Sequence, residues 1–285
     1  MAEGYPSSRN RLAVAQQSAY RWTFDEDLHY LAGCGCGAVG VWRRKLADFG
    51  LERACELISD SGLAVSSLFW AGGFTGSDGR SLAASVRDAE LALHAAAAIG
   101  AECVVLYAGG RNNHTLNHAG RLLDAALDRL LPLAEQLGVP LAIEPMHPAA
   151  AAEWTFITDL DQALTLVEQR NSPWLRVVLD TYHFPEALDD PAALARITPL
   201  LGLVQLGDRC IAPDIDQERC IVGQGCVRNE QLVRALIDAG YPGRFEIELT
   251  GSLVEQRDYE RILDASCRGV AALIAGAEPS ALPTV

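Results

Sequence analysis

A short apolar run followed by a longer amphipathic stretch recurs eight times along these 285 residues, and few architectures accommodate that alternation. The runs are Leu12–Ala15, Ala38–Trp42, Ala64–Leu68, Cys103–Tyr107, Leu141–Glu144, Arg176–Asp180, Leu203–Leu206 and Phe245–Leu249. Short, nearly continuous apolar runs suit strands buried on both faces, as in a parallel sheet. The stretches between them carry a helical apolar period. Ser81 to Ile99 is one, stopped by Gly100, and His118 to Leu137 is another, with Leu122, Leu123, Ala126, Leu127 and Leu130 on one face and Gly138 at its end. Thr158 to Gln169 opens on Thr-Asp-Leu-Asp, a capping sequence; Asn229 to Ala239 and Glu255 to Ala275 complete the set. Successive strands begin about 26 to 42 residues apart, the repeat of βα units. Eight such units predict an α/β fold, a (β/α)₈ TIM barrel. An open doubly wound sheet is the competing arrangement, but no G-x-G-x-x-G follows the first run to support it. The expectation is a single barrel domain over residues 1–285, with a flexible polar N-terminus at 1–10 and a loose tail at 277–285.

Composition narrows the function. Lys and Arg number 23 against 37 Asp and Glu, a formal net charge of −14 that argues against a nucleic-acid partner and against polybasic membrane attachment. No apolar run approaches the roughly 20 residues of a membrane span. The N-terminus has no apolar core of a secretory signal. The eight cysteines contain no C-x-x-C pair. Together these point to a cytoplasmic enzyme with reduced thiols. Lys45 is the one lysine, and it is expected to be solvated, with no catalytic role.

In a barrel of this kind chemistry sits at the C-terminal ends of the strands. The fifth run ends in Glu144, followed by Pro-Met-His147-Pro, and the sixth in Asp180, followed by Thr-Tyr-His183. The seventh carries Gln205, and the eighth carries Glu246 and Glu248, which point to one side by the period of two. A single strand-end carboxylate is as often a cap or loop anchor. Several converging on one mouth repel one another, and a divalent cation removes that cost. His147 reads equally as an acid or base near neutral pH and as a loop histidine bonded to backbone. Trp42 and Trp70 end the second and third runs, where an indole can stack on a sugar face or pack the rim. The glycine-rich segment 70–79 suits a lid or substrate loop. No phosphate-loop motif is present, which leans the substrate toward an unphosphorylated sugar or polyol.

Ile143-Glu-Pro145, Leu179-Asp-Thr-Tyr-His183, Val204-Gln-Leu-Gly-Asp-Arg209 and Gly240-Tyr-Pro-Gly-Arg-Phe-Glu-Ile-Glu-Leu249 resemble the sugar isomerase/epimerase superfamily with the xylose-isomerase-like barrel. The resemblance implies Glu144, Asp180 and Glu248 as metal ligands. It selects Glu248, five residues past the glycine of the Gly-Tyr-x-Gly turn, over Glu246, which becomes a supporting residue. The fourth ligand of the family is usually a histidine; Gln205 stands in its place. An all-oxygen set is harder than one with imidazole, which favours Mn²⁺, or Mg²⁺ or Co²⁺, over Zn²⁺. The resemblance further implies that Glu144 and Glu248 exchange protons beside a ketone through an enediolate, and that His183 and Arg219 bind substrate. The primary reading is therefore a divalent-metal-dependent isomerase or epimerase of a ketose-like sugar. The alternative is a lyase acting on a 3-keto sugar or glycoside, like the C-glycoside deglycosidases; Glu-Pro-Met-His-Pro and Gln205 favour that branch. An endonuclease of the same fold would need a histidine-rich zinc cluster and a basic groove, and a degenerate sugar-binding barrel has only Gln205 in its favour. Relatives commonly form homo-oligomers, which the resemblance extends to this chain.

Overall fold

The computed structural model describes residues 11–185 and 191–277. The expected flexible N-terminus at 1–10 and residues 278–285 of the expected tail lie outside the described residues. Eight parallel strands close into a barrel in sequence order: β1 (Leu12–Ala15), β2 (Ala38–Trp42), β3 (Ala64–Gly72), β4 (Val104–Tyr107), β5 (Leu141–Ile143), β6 (Leu175–Asp180), β7 (Leu201–Leu206) and β8 (Phe245–Ile247). β1 closes the ring by pairing with both β2 and β8, Ala13 standing level with Ala38 on one side and Glu246 on the other.

The strands are apolar throughout because each faces two layers. Ala15, Phe69, Cys103, Val105, Ala142, Val178 and Leu203 fill the barrel interior. The alternate residues, such as Val14, Val39, Leu106 and Val177, meet the apolar faces of the surrounding helices. Helix Leu82–Ile99 begins where the Ser81 hydroxyl accepts the Ala84 N–H and stops at Gly100. Helix Leu116–Leu137 begins at Thr115 in the same manner and stops at Gly138, so both predicted stops are observed.

Several boundaries differ from the expected pattern. β3 continues through Trp70 to Gly72, since its backbone keeps pairing with β4 at Ala71↔Leu106 and Gly72↔Tyr107. The first part of the expected loop at 70–79 is therefore strand. β5 and β8 end one and two residues early, although the Glu144 and Glu248 N–H groups still donate to Leu106 O and Leu206 O. The last helix starts at Tyr259, after a separate short turn Ser252–Glu255.

Lys45 overturns its solvated reading. It is buried on helix Arg43–Phe49, and its ammonium donates to Asp27 Oδ2 at 2.7 Å, Ala19 O at 2.9 Å and Gln16 O at 3.0 Å. Burial is tolerated because all three N–H donors are used and the charge is paired. The ammonium thereby ties down the 3₁₀ turn Gln16–Ala19 that follows β1.

Candidate active site

Four consecutive strands, β5 to β8, bring carboxyl and amide side chains to the C-terminal mouth. Asp180 is the last residue of β6 and stands in register with Gln205 of β7, which stands in register with Glu246 of β8. Glu144 and Glu248 follow β5 and β8 directly. All five are buried.

Glu246 is the floor of this arrangement. Its Oε2 accepts from the Ser66 and Ser67 hydroxyls at 2.6 and 2.9 Å, and its Oε1 accepts from Gln205 Nε2 at 3.2 Å. Burial pushes its carboxyl up, against the pull of these three hydrogen bonds. β2 passes so close that a Cβ on Gly40 would lie 2.4 Å from Glu246 Oε2, so only glycine fits there. A carboxylate with three donors is occupied in holding other groups.

Asp180 is gripped by Arg219, whose Nη2 and Nη1 donate to Oδ2 and Oδ1 at 2.7 and 3.2 Å; the Tyr182 N–H adds a third bond at 2.8 Å. Burial pushes the Asp180 carboxyl up, but Arg219, His183 and these bonds more than offset it and hold the group below its ordinary value. Arg219 comes from the long connection after β7. Its ring-like plane lies 4.5 Å over Tyr182, its Nε donates to Thr250 Oγ1 at 3.0 Å, and its Nη2 lies 3.8 Å from Glu248 Oε2. The guanidinium thus bridges the ends of β6 and β8. Asp208 organises the connection that carries it, accepting N–H groups from Arg209, Gly223, Gly225 and Val227. The organising role of Asp208 was not apparent in the sequence, where it is one residue of a longer motif; its four partners are spread over nineteen positions.

Glu144 and Glu248 have the opposite electrostatics. Burial pushes Glu144 well above the carboxylate range, and the charges of Glu248 and Asp180 push it further. Burial raises Glu248 to about 7 against the attraction of Arg219. Two carboxyls that favour protons near neutral pH, beside a carboxylate that does not, form a differentiated set suited to proton transfer. His183 is buried and held neutral, its basicity lowered to about 4 by burial despite Asp180.

The donor set fits a cation. One ligand atom each from Glu144, Asp180 and His183 lie within 4.8 Å of one another. Gln205 Oε1 and both His183 ring nitrogens are buried with no hydrogen-bond partner, the state of a donor waiting for a positive partner. His183, expected as a substrate contact, therefore lies within the candidate ligand cluster, whereas Glu248, expected as a ligand, stands outside that group. Gln205 spends its amide nitrogen on Glu246 and leaves the oxygen free, the orientation a ligand needs. The Asp180 oxygens are shared with Arg219, so this carboxylate would serve guanidinium and cation together.

The remaining expected residues lie above or beside this cluster. His147 caps the turn Pro148–Ala151, its Nδ1 accepting the Ala149 N–H at 3.2 Å. Trp42 and Trp70 both line a cavity of about 400 Å³ whose wall includes Glu248, Thr250, Tyr20 and Trp154. Trp154 was missed in the sequence. It follows β5 by eleven residues in no recognisable pattern, yet packs 4.6 Å from Trp70, while Tyr20 lies 5.7 Å from Trp42. The mouth is thus polar at its floor and aromatic on its walls, the combination that binds a sugar ring by stacking over its C–H face.

Comparison with known proteins agrees with the geometry. A family model described as xylose isomerase-like TIM barrel matches residues 28–268. Among solved structures, a protein from Sinorhizobium meliloti 1021 is 26% identical with a TM-score of 0.84, covering 91% of this chain and 97% of that one. The IolI protein, solved with a bound zinc atom, is 17% identical with a TM-score of 0.80, covering 94% and 99%. The 3-keto-D-glucoside 4-epimerase from E. coli is 18% identical with a TM-score of 0.75, covering 92% and 98%. Among curated proteins no sequence matches the chain.

Proposed function

The chain belongs to the xylose isomerase-like TIM barrel family, and from that premise we propose that it is a divalent-metal-dependent isomerase or epimerase of a ketose-like sugar. The observation that carries the reading is the pair Glu144 and Glu248, two buried carboxyls at the ends of β5 and β8, beside the Asp180–Arg219 pair. The kinship to sugar epimerases of this fold, including a D-psicose 3-epimerase and an L-ribulose 3-epimerase, supports it.

Glu144, Asp180, Gln205 and Glu248 would hold the cation, with His183 close enough to join them; Mn²⁺ is the ion proposed for this mainly oxygen set. When bound, the ion supplies a Lewis acid that polarises the substrate carbonyl. One glutamate takes the proton from the carbon beside the carbonyl, leaving an enediolate. The other returns a proton to the opposite face, which inverts the carbon. Arg219 is already oriented by Asp180, Thr250 and Tyr182, and it contributes a fixed positive charge beside the developing enediolate. His147 presents its remaining nitrogen, Nε2, as a further proton donor. Trp42 and Trp70 stack on the sugar and exclude water. The active unit is a single barrel domain, and its setting is the cytoplasm.

A second reading is favoured by one feature, the aromatic wall. Tyr20, Trp42, Trp70 and Trp154 line one cavity of about 400 Å³, which suits a 3-keto glycoside whose departing group stacks there. The same proton abstraction at carbon two would then expel the substituent from carbon one. One experiment separates the two readings: Mn²⁺-loaded protein in deuterium oxide is offered free ketoses and 3-keto glycosides, followed by NMR and mass spectrometry. Deuterium at the carbon beside the carbonyl with a new epimer supports the isomerase. Release of the aglycone supports the lyase. Formation of an epimer without deuterium at that carbon refutes proton transfer by the glutamate pair.

A further inference from the structure

At the opposite, N-terminal end of the barrel, three thiols meet. Cys34 ends helix Phe24–Gly33, Cys36 precedes β2, and Cys267 lies on helix Tyr259–Ala277. Gly35, at φ +93°, turns the chain so that Cys34 and Cys36 both reach Cys267; the left-handed backbone there excludes other residues cheaply. The sulfur separations are 3.4 Å for Cys34–Cys36, 3.4 Å for Cys36–Cys267 and 3.9 Å for Cys34–Cys267. These far exceed a disulfide bond of about 2.05 Å, and all eight cysteines are free. They match a different geometry: three sulfurs each about 2.3 Å from one ion stand roughly 3.8 to 4.0 Å apart. Closing the triangle on an ion requires shifts of a few tenths of an ångström. Cys36 and Cys267 are buried, whereas Cys34 is half-buried and leaves a path from solvent.

We propose that Cys34, Cys36 and Cys267 bind one thiophilic metal ion of the Zn²⁺ or Cu⁺ class, as a clasp between the first and last βα units of the barrel. Among the described residues the cluster contains no histidine or carboxylate, so its softness rejects Mn²⁺ and Mg²⁺ and separates it from the carboxylate cluster at the other mouth. The half-exposed edge at Cys34 accepts a water or a small thiol as fourth ligand for Zn²⁺, or stays vacant for trigonal Cu⁺. Each thiol that coordinates gives its proton to solvent, so binding strengthens as pH rises. The site lies where β1 meets β8 and the ring closes, and an ion there ties helix Phe24–Gly33 to helix Tyr259–Ala277 across 233 positions of sequence.

The test is a Cd²⁺ titration of the reduced full-length chain, read by the ultraviolet charge-transfer absorption that thiolate–cadmium bonds produce and carboxylates do not. The expected result is saturation at one ion per chain, with a rise in Tm and displacement by Zn²⁺ or Cu⁺, whichever binds more tightly. The double variant Cys34→Ser/Cys267→Ser loses the band, while the triple variant Cys210→Ser/Cys220→Ser/Cys226→Ser keeps it. Because Cys267 is in the core, the single variant Cys34→Ser is the safeguard: its circular dichroism stays native and its Cd²⁺ affinity falls at least tenfold. A wild-type chain with no band, or a band of full strength in natively folded Cys34→Ser, overturns the proposal.

Discussion

Replacing Lys45 by methionine keeps most of the length of the side chain and removes its charge from a pair whose side chains are only 6% and 2% exposed. The ammonium has three protons and three acceptors, at 2.7, 2.9 and 3.0 Å, and methionine donates to none of them. Losing one partner of a buried ion pair costs about 3–5 kcal/mol, because the other charge is left without compensation. With an unfolding entropy of roughly 2.1 cal/mol/K per residue, that corresponds to a Tm lower by roughly 5–8 °C. The pH dependence is more diagnostic than the size. Burial raises the Asp27 carboxyl from 3.8 to about 7, and Lys45 is the main influence pulling it down. Without Lys45 the burial and the charges of Glu26 and Asp25 remain, so Asp27 of the variant titrates higher still. A raised folded value means that the contribution of Asp27 is complete below 3.8 and is lost as pH rises through the folded value. Below about 7 the variant keeps a proton on Asp27, so no bare charge is left, and the deficit shrinks toward that of the lost hydrogen bonds. Above it only the variant continues to lose stability, by up to about 1.4 kcal/mol per pH unit. Urea unfolding of both proteins at about pH 6 and about pH 8.5 measures this. A deficit below about 1 kcal/mol, or one equal at the two pH values, refutes the reasoning.

Three further outcomes follow from the site. Glu248→Gln retains the fold and lowers turnover and solvent-deuterium exchange by about 10²–10⁴-fold, measured by NMR on whichever sugar the wild type accepts. Gly40→Ala drives a methyl group into Glu246 Oε2, and it destabilises the protein by about 1–3 kcal/mol in urea unfolding while disturbing the Ser66–Ser67–Gln205 network. Gln205→His supplies an imidazole at the candidate cation cluster, and competition binding shows its preference moved from Mn²⁺ toward Zn²⁺; an unchanged preference would place Gln205 outside the ligand set.

Much of the barrel was legible in the chain alone. Continuous apolar runs such as Leu12–Ala15 and Ala38–Trp42 begin and end in the structure where the sequence pattern predicts, because a strand buried on both faces admits no polar residue until it leaves the core. For the same reason Asp180, Gln205 and Glu246 stood out: a polar side chain inside an apolar run needs a partner, and neighbouring strands supply it in register. The family resemblance added the choice of Glu248 over Glu246, and the three donors that occupy Glu246 are in keeping with it.

What the chain alone did not reveal depends on residues far apart meeting in space. Lys45 reads as a surface lysine until helix Arg43–Phe49 packs its ammonium over the turn after β1. Trp154 has no local pattern, and only barrel closure sets it against Trp70. Cys34, Cys36 and Cys267 lack any metal-binding spacing, since the third thiol arrives from the last helix when β8 pairs with β1. The periodicity of apolar residues is local, so sequence determined the strands, their order and the polar residues that end them. The partners of those residues follow from ring closure, a long-range event with no local code, and tertiary structure alone decided them.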